Sequence, residues 1–531
     1  MPARRIKQIH GIASLRKSPL IRLLASLLVL ALICGSCGSR TPNGDGHGTA
    51  PSVPENVPAA PADETQPPEE DPGEEPSVEG QSVEVPSGEE QSPKEPTGEE
   101  PSTQELSGEE NGPDQTTAGG TTMSAYFDYA LPAPGETNPS HLGLHVAEGG
   151  EIQLAGKRFC GFGVNYFGAF AHYWYADYDN TPFVDAFAKL KEYGVDFVRM
   201  PFGGYWTDYY EAFAKDPDAV LRYLDRVVEE AEKAHIGIIV SLFWHDTALP
   251  LYLGEHRSAM GNPESETVKF ALDYTAAIVS RYASSPAVWA WEIGNEYNLS
   301  ADLCDTTGWS WLSGYPDEKP SGFDYYTSDE MITFYTLIGE KIREYDGWRM
   351  IETGNGEMRS FAKASAERSR KMNQKKHAWS VDWTTNTRSD FDEMNARMTP
   401  DPLNCVCFHL QHGTGDGTGK YVEKMAPWGK KVTQREYFTA YKEAADACGK
   451  ACIFGEMGDF MDMNNAPDIE EHFRALIDDI RASGIQIALT WQFQDFTDAG
   501  NDGMKLRVLS EANAAYKADG VCDSEAAFGI E

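Results

Sequence analysis

Two glutamates carry the chemistry this chain could do. Glu296 closes the run Val288-Trp289-Ala290-Trp291-Glu292-Ile293-Gly294-Asn295-Glu296-Tyr297, and Glu456 closes Ala451-Cys452-Ile453-Phe454-Gly455-Glu456. Each run is apolar and β-forming until polar residues stand where a strand meets solvent. Two carboxyl groups at the ends of two separate strands are what cleavage of a glycosidic bond needs. One protonates the leaving oxygen; the other attacks the anomeric carbon or activates water. With a period of two, Ala290, Glu292, Gly294 and Glu296 share one face of their strand. A carboxylate on a buried face costs free energy unless it is paired or working. Glu292 alone therefore reads as readily as a structural ion-pair partner, whereas Glu296, at the strand's end, reads as functional.

The elements that must position these acids alternate along the chain. Strands are expected at 159 to 165, 195 to 200, 237 to 243, 287 to 294, 348 to 353, 403 to 409, 452 to 455 and 485 to 491. Amphipathic helical patterns separate them at Pro182 to Tyr193, Asp216 to His235, Glu266 to Tyr282, Asp329 to Tyr345, Thr433 to Cys448 and Ile469 to Ser483, with a fainter one in 387 to 398. Eight strand-helix units in about 400 residues fit an α/β fold, a (β/α)8 barrel with long loops. A doubly wound sheet would instead call for a Gly-rich phosphate turn after the first strand, and Asn165-Tyr166-Phe167-Gly168 is not one. Further polar and aromatic residues fall at the strand ends: Asn165, Arg199, His245, His409 and Trp491. Singly each has a bland reading, as ion pair, core histidine or packing; their common position is what points to a site.

Composition divides the 531 residues further. Arg4, Arg5, Lys7, Arg16, Lys17 and Arg22 precede the apolar run Leu23 to Ile33, which is short for a bilayer span and has the basic flank of a secretory signal. Cys34-Gly35-Ser36-Cys37 follows and resembles a bacterial lipoprotein cleavage box, with Cys34 where Leu is usual. Residues 1–37 are thus read as a signal peptide, with Cys37 the lipidated residue of an extracellular protein anchored to the cell membrane. Residues 38–122 are a Pro/Glu/Ser/Gly-rich linker in which Gly-Glu-Glu recurs at 88, 98 and 108. Such a segment buries too little to offset its ordering entropy. Residues 123–531 form the catalytic domain. The net charge of −38 persists into that domain, which disfavours nucleic acid and anionic lipid as partners and leaves a neutral polysaccharide or oligosaccharide acceptable. The expected state is a monomer. No CxxC or zinc-type spacing is present, and Asp495, Asp498, Asn501 and Asp502 do not follow a calcium-loop spacing, so no cofactor or metal is expected. Cys405 and Cys407 share one face of their strand and read as packing.

On these residues the domain resembles glycoside hydrolase family 5, within the clan of retaining (β/α)8 glycosidases. Asn295-Glu296 is similar to the clan's acid/base signature on strand four, and Glu456 to its nucleophile on strand seven. Arg199, His245, His409 and Trp491 match the family's strand-two Arg, strand-three His, strand-six His and strand-eight Trp. The hairpin 149–157 resembles the family's plug of the barrel bottom. Two positions depart from the pattern: Gln411 stands where a Tyr usually follows the strand-six His, and Tyr297 where Pro usually follows the acid/base. The resemblance implies double displacement, with Arg199 keeping Glu456 ionised and Asn295 bonding the sugar's 2-hydroxyl. Trp244 and Trp491 are expected first, and Trp206, Trp309 and Trp311 after them, to line the catalytic subsite, with Tyr297 as a further supporting residue. The implied activity is endo-cleavage of β-1,4-mannan or glucan. The alternatives are an exo-acting β-glycosidase or transglycosylase, or a non-catalytic glycan-binding barrel.

Overall fold

In a computed structural model, the chain is described at residues 116–117, 121–135, 141–166, 168, 179–303, 324–371, 381–410, 424–458, 469–493, 502–521 and 523–529. The signal segment, the linker as far as residue 115, Cys37, Trp309, Trp311, Gln411, Asp495, Asp498 and Asn501 lie outside them, while the end of the linker pairs Thr116 with Thr122 and Thr117 with Thr121 as antiparallel strands. Among the described residues no helix is long and apolar enough to cross a membrane.

Eight parallel strands close into a barrel in chain order: β1 Gly161–Asn165, β2 Phe197–Pro201, β3 Gly237–Phe243, β4 Val288–Gly294, β5 Met350–Glu352, β6 Cys405–Leu410, β7 Ala451–Met457 and β8 Ile487–Thr490. Every residue of these strands is buried. That is why they read as continuous apolar runs rather than alternating ones. β8 pairs with β1 to close the ring, Thr490 opposite Val164. The helices that follow the strands are α1 Pro182–Glu192, α2 Pro217–Ala234, α3 Glu266–Tyr282, α4 Ser328–Tyr345, α5 Arg388–Arg397, α6 Gln434–Ala447, α7 Ile469–Ser483 and α8 Asp502–Ala518. Their starts are written locally. Thr327, Thr387 and Thr433 each form a capping box with the acid three residues on, Glu330, Asp390 and Glu436. The faint pattern at 387 to 398 is α5. The eighth helix, α8, was not among the expected ones; its Leu506, Leu509 and Ala512 are buried, and Asn513 bonds both the N–H and the carbonyl of Phe162.

The barrel's lower half is filled by aromatic rings. Trp289 meets Phe159 edge-on at 5.3 Å and stacks on Phe197 at 5.6 Å. Gly237 makes room for them, since a Cβ there would lie 2.1 Å from the Trp289 ring. The floor is the antiparallel sheet of Leu144–Val146, Ile152–Leu154 and Lys157–Arg158, the hairpin expected to plug the barrel. Gln486, at the start of β8, fastens it by bonding the N–H and carbonyl of Ile152 and the carbonyl of Phe159. With the bottom sealed, the polar residues of the strands are left to gather at the opposite, C-terminal end.

Candidate active site

Register decides which strand-end residues meet. Asn165 is opposite Arg199 across β1 and β2, Glu292 opposite Glu352 across β4 and β5, and His409 opposite Glu456 across β6 and β7. Arg199 is the hub. It is fully buried, and all five of its N–H donors are used. Nε and Nη2 form a fork on the two oxygens of Glu292. Nη1 donates to Asn165 Oδ1 at 2.9 Å and to Glu456 Oε1 at 2.7 Å; the second Nη2 donor reaches Asn295 Oδ1 at 2.8 Å. The guanidinium also lies 4.5 Å from the centre of the Trp244 ring. Glu292 is thus an ion-pair partner, as one of its two readings held.

The two glutamates singled out from the sequence come together. One oxygen of each lies within 4.8 Å of the other and of a His409 nitrogen. His409 Nδ1 is 3.1 Å from Glu296 Oε1 and 3.6 Å from Glu456 Oε1, so a proton on Nδ1 bridges the two acids. Their environments differ. The Glu456 side chain is 2% exposed and that of Glu296 is 32% exposed, open enough to meet a leaving group and water. Burial pushes the Glu456 carboxyl above the usual range; His409 and Arg199 oppose the rise without cancelling it. Arg199 acts in the expected direction, toward the ionised acid, but its charge is shared with Glu292 and desolvation is the larger influence. Burial likewise lowers His409 to about 4, so the bridging ring is neutral at ordinary pH. Its Nε2 packs over Gly455, where a Cβ would come within 2.6 Å.

Glu296 occupies the left-handed region, φ 57° and ψ 26°, at a cost of about 1–3 kcal/mol for a residue with a Cβ. Backbone bonds hold it there, from Glu296 N–H to the Gly354 carbonyl at 2.7 Å and from Asn295 N–H to the Trp244 carbonyl at 3.0 Å. The loop after β5 can approach because Gly354 is itself at φ +68°, with no room for a side chain. Asn295 is oriented by the same hub: Arg199 offers only donors, so the amide oxygen must face it and the NH2 group faces away.

The flanking residues sort differently. Trp491 is half-buried and stacks at 6.5 Å on Trp244. Trp244 is 2% exposed, a cover for Arg199 more than a wall of the cleft. His245 is half-buried, held at about 4 by burial and packed 4.8 Å from Tyr205. Tyr297 turns inward. It is 2% exposed and donates its hydroxyl to the Phe243 carbonyl at 2.6 Å, so it braces β3 and does not face a ligand. An apolar ring following a left-handed residue is drawn into the core beside Phe334 and Tyr335.

Asn165 was noted only as a strand-end residue, and two further features, Glu352 and the Arg257 network, escaped the reading of the sequence. Asn165 positions Arg199, and donates its own NH2 to the Gly455 carbonyl at 2.9 Å. Glu352 lies buried against Glu292; both it and Asn165 carried the strand-end signal used for the two acids. Beneath the loops, buried Arg257 joins Asp246 at 2.9 Å and also Asp324, while Ser300 and Tyr326 donate to Asp246. That network ties the loop after β3 to the segment after Glu296, and no spacing announces it.

Residues 152–496 match the model of the Cellulase family, glycosyl hydrolase family 5. Among similar chains, a probable mannan endo-1,4-beta-mannosidase A of Aspergillus clavatus is 25% identical over 397 residues, covering 72% of this chain and 90% of that one. A probable mannan endo-1,4-beta-mannosidase A-2 of Aspergillus terreus is 29% identical over 217 residues, 35% of this chain and 54% of the relative, so this chain spans about half the length of that relative. The crystal structure of an endo-1,4-beta-mannanase from Rhizomucor miehei aligns at a TM-score of 0.47 and 14% identity, over 70% of this chain and 99% of that one. The family model spans the last two strands of the plug, all eight barrel strands and both strand-end glutamates, and the chain belongs to glycosyl hydrolase family 5.

Proposed function

We propose that the protein hydrolyses β-1,4-linked mannan with retention of configuration, Glu456 acting as nucleophile and Glu296 as acid/base. The observation that carries this reading is the pair itself: two carboxyl groups within 4.8 Å at one oxygen each, one sealed and one open. Retaining enzymes separate their carboxyls by about 5–5.5 Å, and inverting ones by more, to admit a water. In the first step a Glu456 oxygen bonds to the anomeric carbon while the Glu296 proton passes to the leaving oxygen. In the second, Glu296 takes a proton from water as the water displaces Glu456. The Asn295 NH2 group, directed away from Arg199, is the donor for the sugar's 2-hydroxyl. The names of the relatives favour mannan over glucan. Export, and attachment through a lipidated Cys37 at the end of an acidic linker, complete the reading; the basic-apolar order of residues 4 to 33 supports it.

The test is to follow reducing ends released from β-mannan, glucomannan, barley glucan and cellulose by the protein and by Glu456→Ala and Glu296→Ala. Release from mannan that both substitutions abolish supports the assignment. Rescue of Glu456→Ala by azide should yield the α-glycosyl azide, and of Glu296→Ala the β-anomer; the reverse pattern would exchange the two roles. Mannan binding without release by the unaltered protein would favour a glycan-binding barrel.

A further inference from the structure

Directly below the proposed catalytic pair, two more glutamates face each other. Glu292 and Glu352 are in register on the neighbouring strands β4 and β5, and both are fully buried. Carboxylates have only acceptors to offer, so two of them side by side can bond only with a proton on one. Their partners say which. Glu292 receives two donors of the Arg199 fork. Glu352 accepts the Gly354 N–H at Oε2, while its buried Oε1 has no donor in reach. An ionised oxygen so placed would be orphaned; a hydroxyl needs only an acceptor, and Glu292 is one.

Charge leads to the same assignment. Glu292, Glu352 and Glu456, all ionised, would set three negative charges around one guanidinium, with His409 neutral beside them. The groups facing Glu352 are Glu292 and Arg199, the thiols of Cys405 and Cys407 on β6, and the Tyr335 phenol of α4; of these only Arg199 is positive. Burial, then the Glu292 charge, push the Glu352 carboxyl well above the usual range. Burial alone would raise Glu292 too, but the Arg199 fork holds it low.

We propose that Glu352 is a positioning residue that stays protonated at working pH and donates that proton to Glu292, so that Glu292 alone balances Arg199 and one Nη1 donor remains for Glu456. The consequence for catalysis rests on the proposed role of Glu456; the proton itself does not. Glu352→Gln should reproduce the acid, its amide N–H donating to Glu292 and its carbonyl accepting from Gly354. In the infrared difference spectrum between the unaltered full chain and Glu352→Gln at pH 7, a protonated-carboxyl C=O band should belong to the unaltered chain. Glu352→Gln should keep kcat within about twofold and leave the acid limb of kcat/KM in place, whereas Glu352→Ala, which strips a buried carboxylate of its donor, should lose about tenfold or more. Glu292→Gln should move the acid limb down by about one pH unit or more, as the whole Arg199 charge falls on Glu456. Absence of the infrared band at pH 7 would overturn the assignment whatever the enzyme cleaves. Equal damage by Glu352→Gln and Glu352→Ala, with the band present, would confine the proton to a structural role and overturn the link to Glu456.

Discussion

Arg199→Lys separates the charge at the hub of the site from its geometry. The guanidinium satisfies five acceptor atoms, four of them buried on Glu292, Asn165 and Glu456 and one part-buried on Asn295. An ammonium keeps the charge but has three donors and no fixed fork. At least two of the five acceptors then go unserved. Each buried polar atom left without a partner costs about 1–3 kcal/mol, so the substitution should cost roughly 2–6 kcal/mol. Some of that loss falls on stability and some on catalysis, because Glu456 and Asn295 hang on the same fork as Glu292. Urea unfolding followed by tryptophan fluorescence reads the first, with Trp244 lying over the hub. Turnover of the proposed mannan substrate reads the second, and kcat should fall by about a hundredfold for every 2.7 kcal/mol taken from the transition state. Arg199→Ala should be worse in the unfolding assay, since it leaves the Glu292 charge buried alone, a loss of about 3–5 kcal/mol. Arg199→Lys with an unchanged midpoint and a kcat within threefold of the parent would refute the five-bond hub as the organiser of the site.

Four other outcomes follow from particular contacts. If Glu456 is the nucleophile, as proposed, the acid limb of kcat/KM should lie above the ordinary glutamate range, because the group must be ionised to attack and burial raises it; a limb at or below that range would contradict the assignment. By linkage, the raised Glu352 carboxyl binds its proton more tightly folded than unfolded. Its contribution to stability is therefore full below the ordinary carboxyl value and lost as pH rises toward the folded one; Glu352→Gln should flatten that part of the stability–pH profile, measured by urea unfolding from pH 4 upward. Tyr297→Phe should cost about 1–2 kcal/mol of stability through the lost bond to the Phe243 carbonyl, with KM unchanged; a raised KM would return Tyr297 to the substrate. Gly354→Ala should be among the most damaging single methyl additions, about 2–4 kcal/mol, since its Cβ would collide with the Gly294 carbonyl at a positive φ, and circular dichroism melting should show it.

The family match, the register and the site together explain why some residues were legible early and others were not. Glu296 and Glu456 stood out because a polar residue ending an apolar strand breaks a local pattern, and local patterns need no partner to be seen. Seven of the eight helices declared themselves for the same reason, through period and caps. Glu352 ends its strand in the same way, yet it gained meaning only beside Glu292, sixty residues earlier and one strand over.

What the sequence determined by itself was therefore the list of strands, their buried character, the barrel that eight of them make and the two acids at its rim. Those follow from side-chain periodicity and strand-end polarity, which are properties of neighbours along the chain. Tertiary structure decided the rest. Closure of the barrel brought Asn165, Glu292, Asn295 and Glu456 onto the Arg199 guanidinium, turned Tyr297 into the core, and set Glu296 in a left-handed turn under Gly354. Burial then sealed Glu456 and paired Glu352 with Glu292. Whether a carboxyl group keeps its proton depends on the charges and donors around it in space, and those arrive from five different strands.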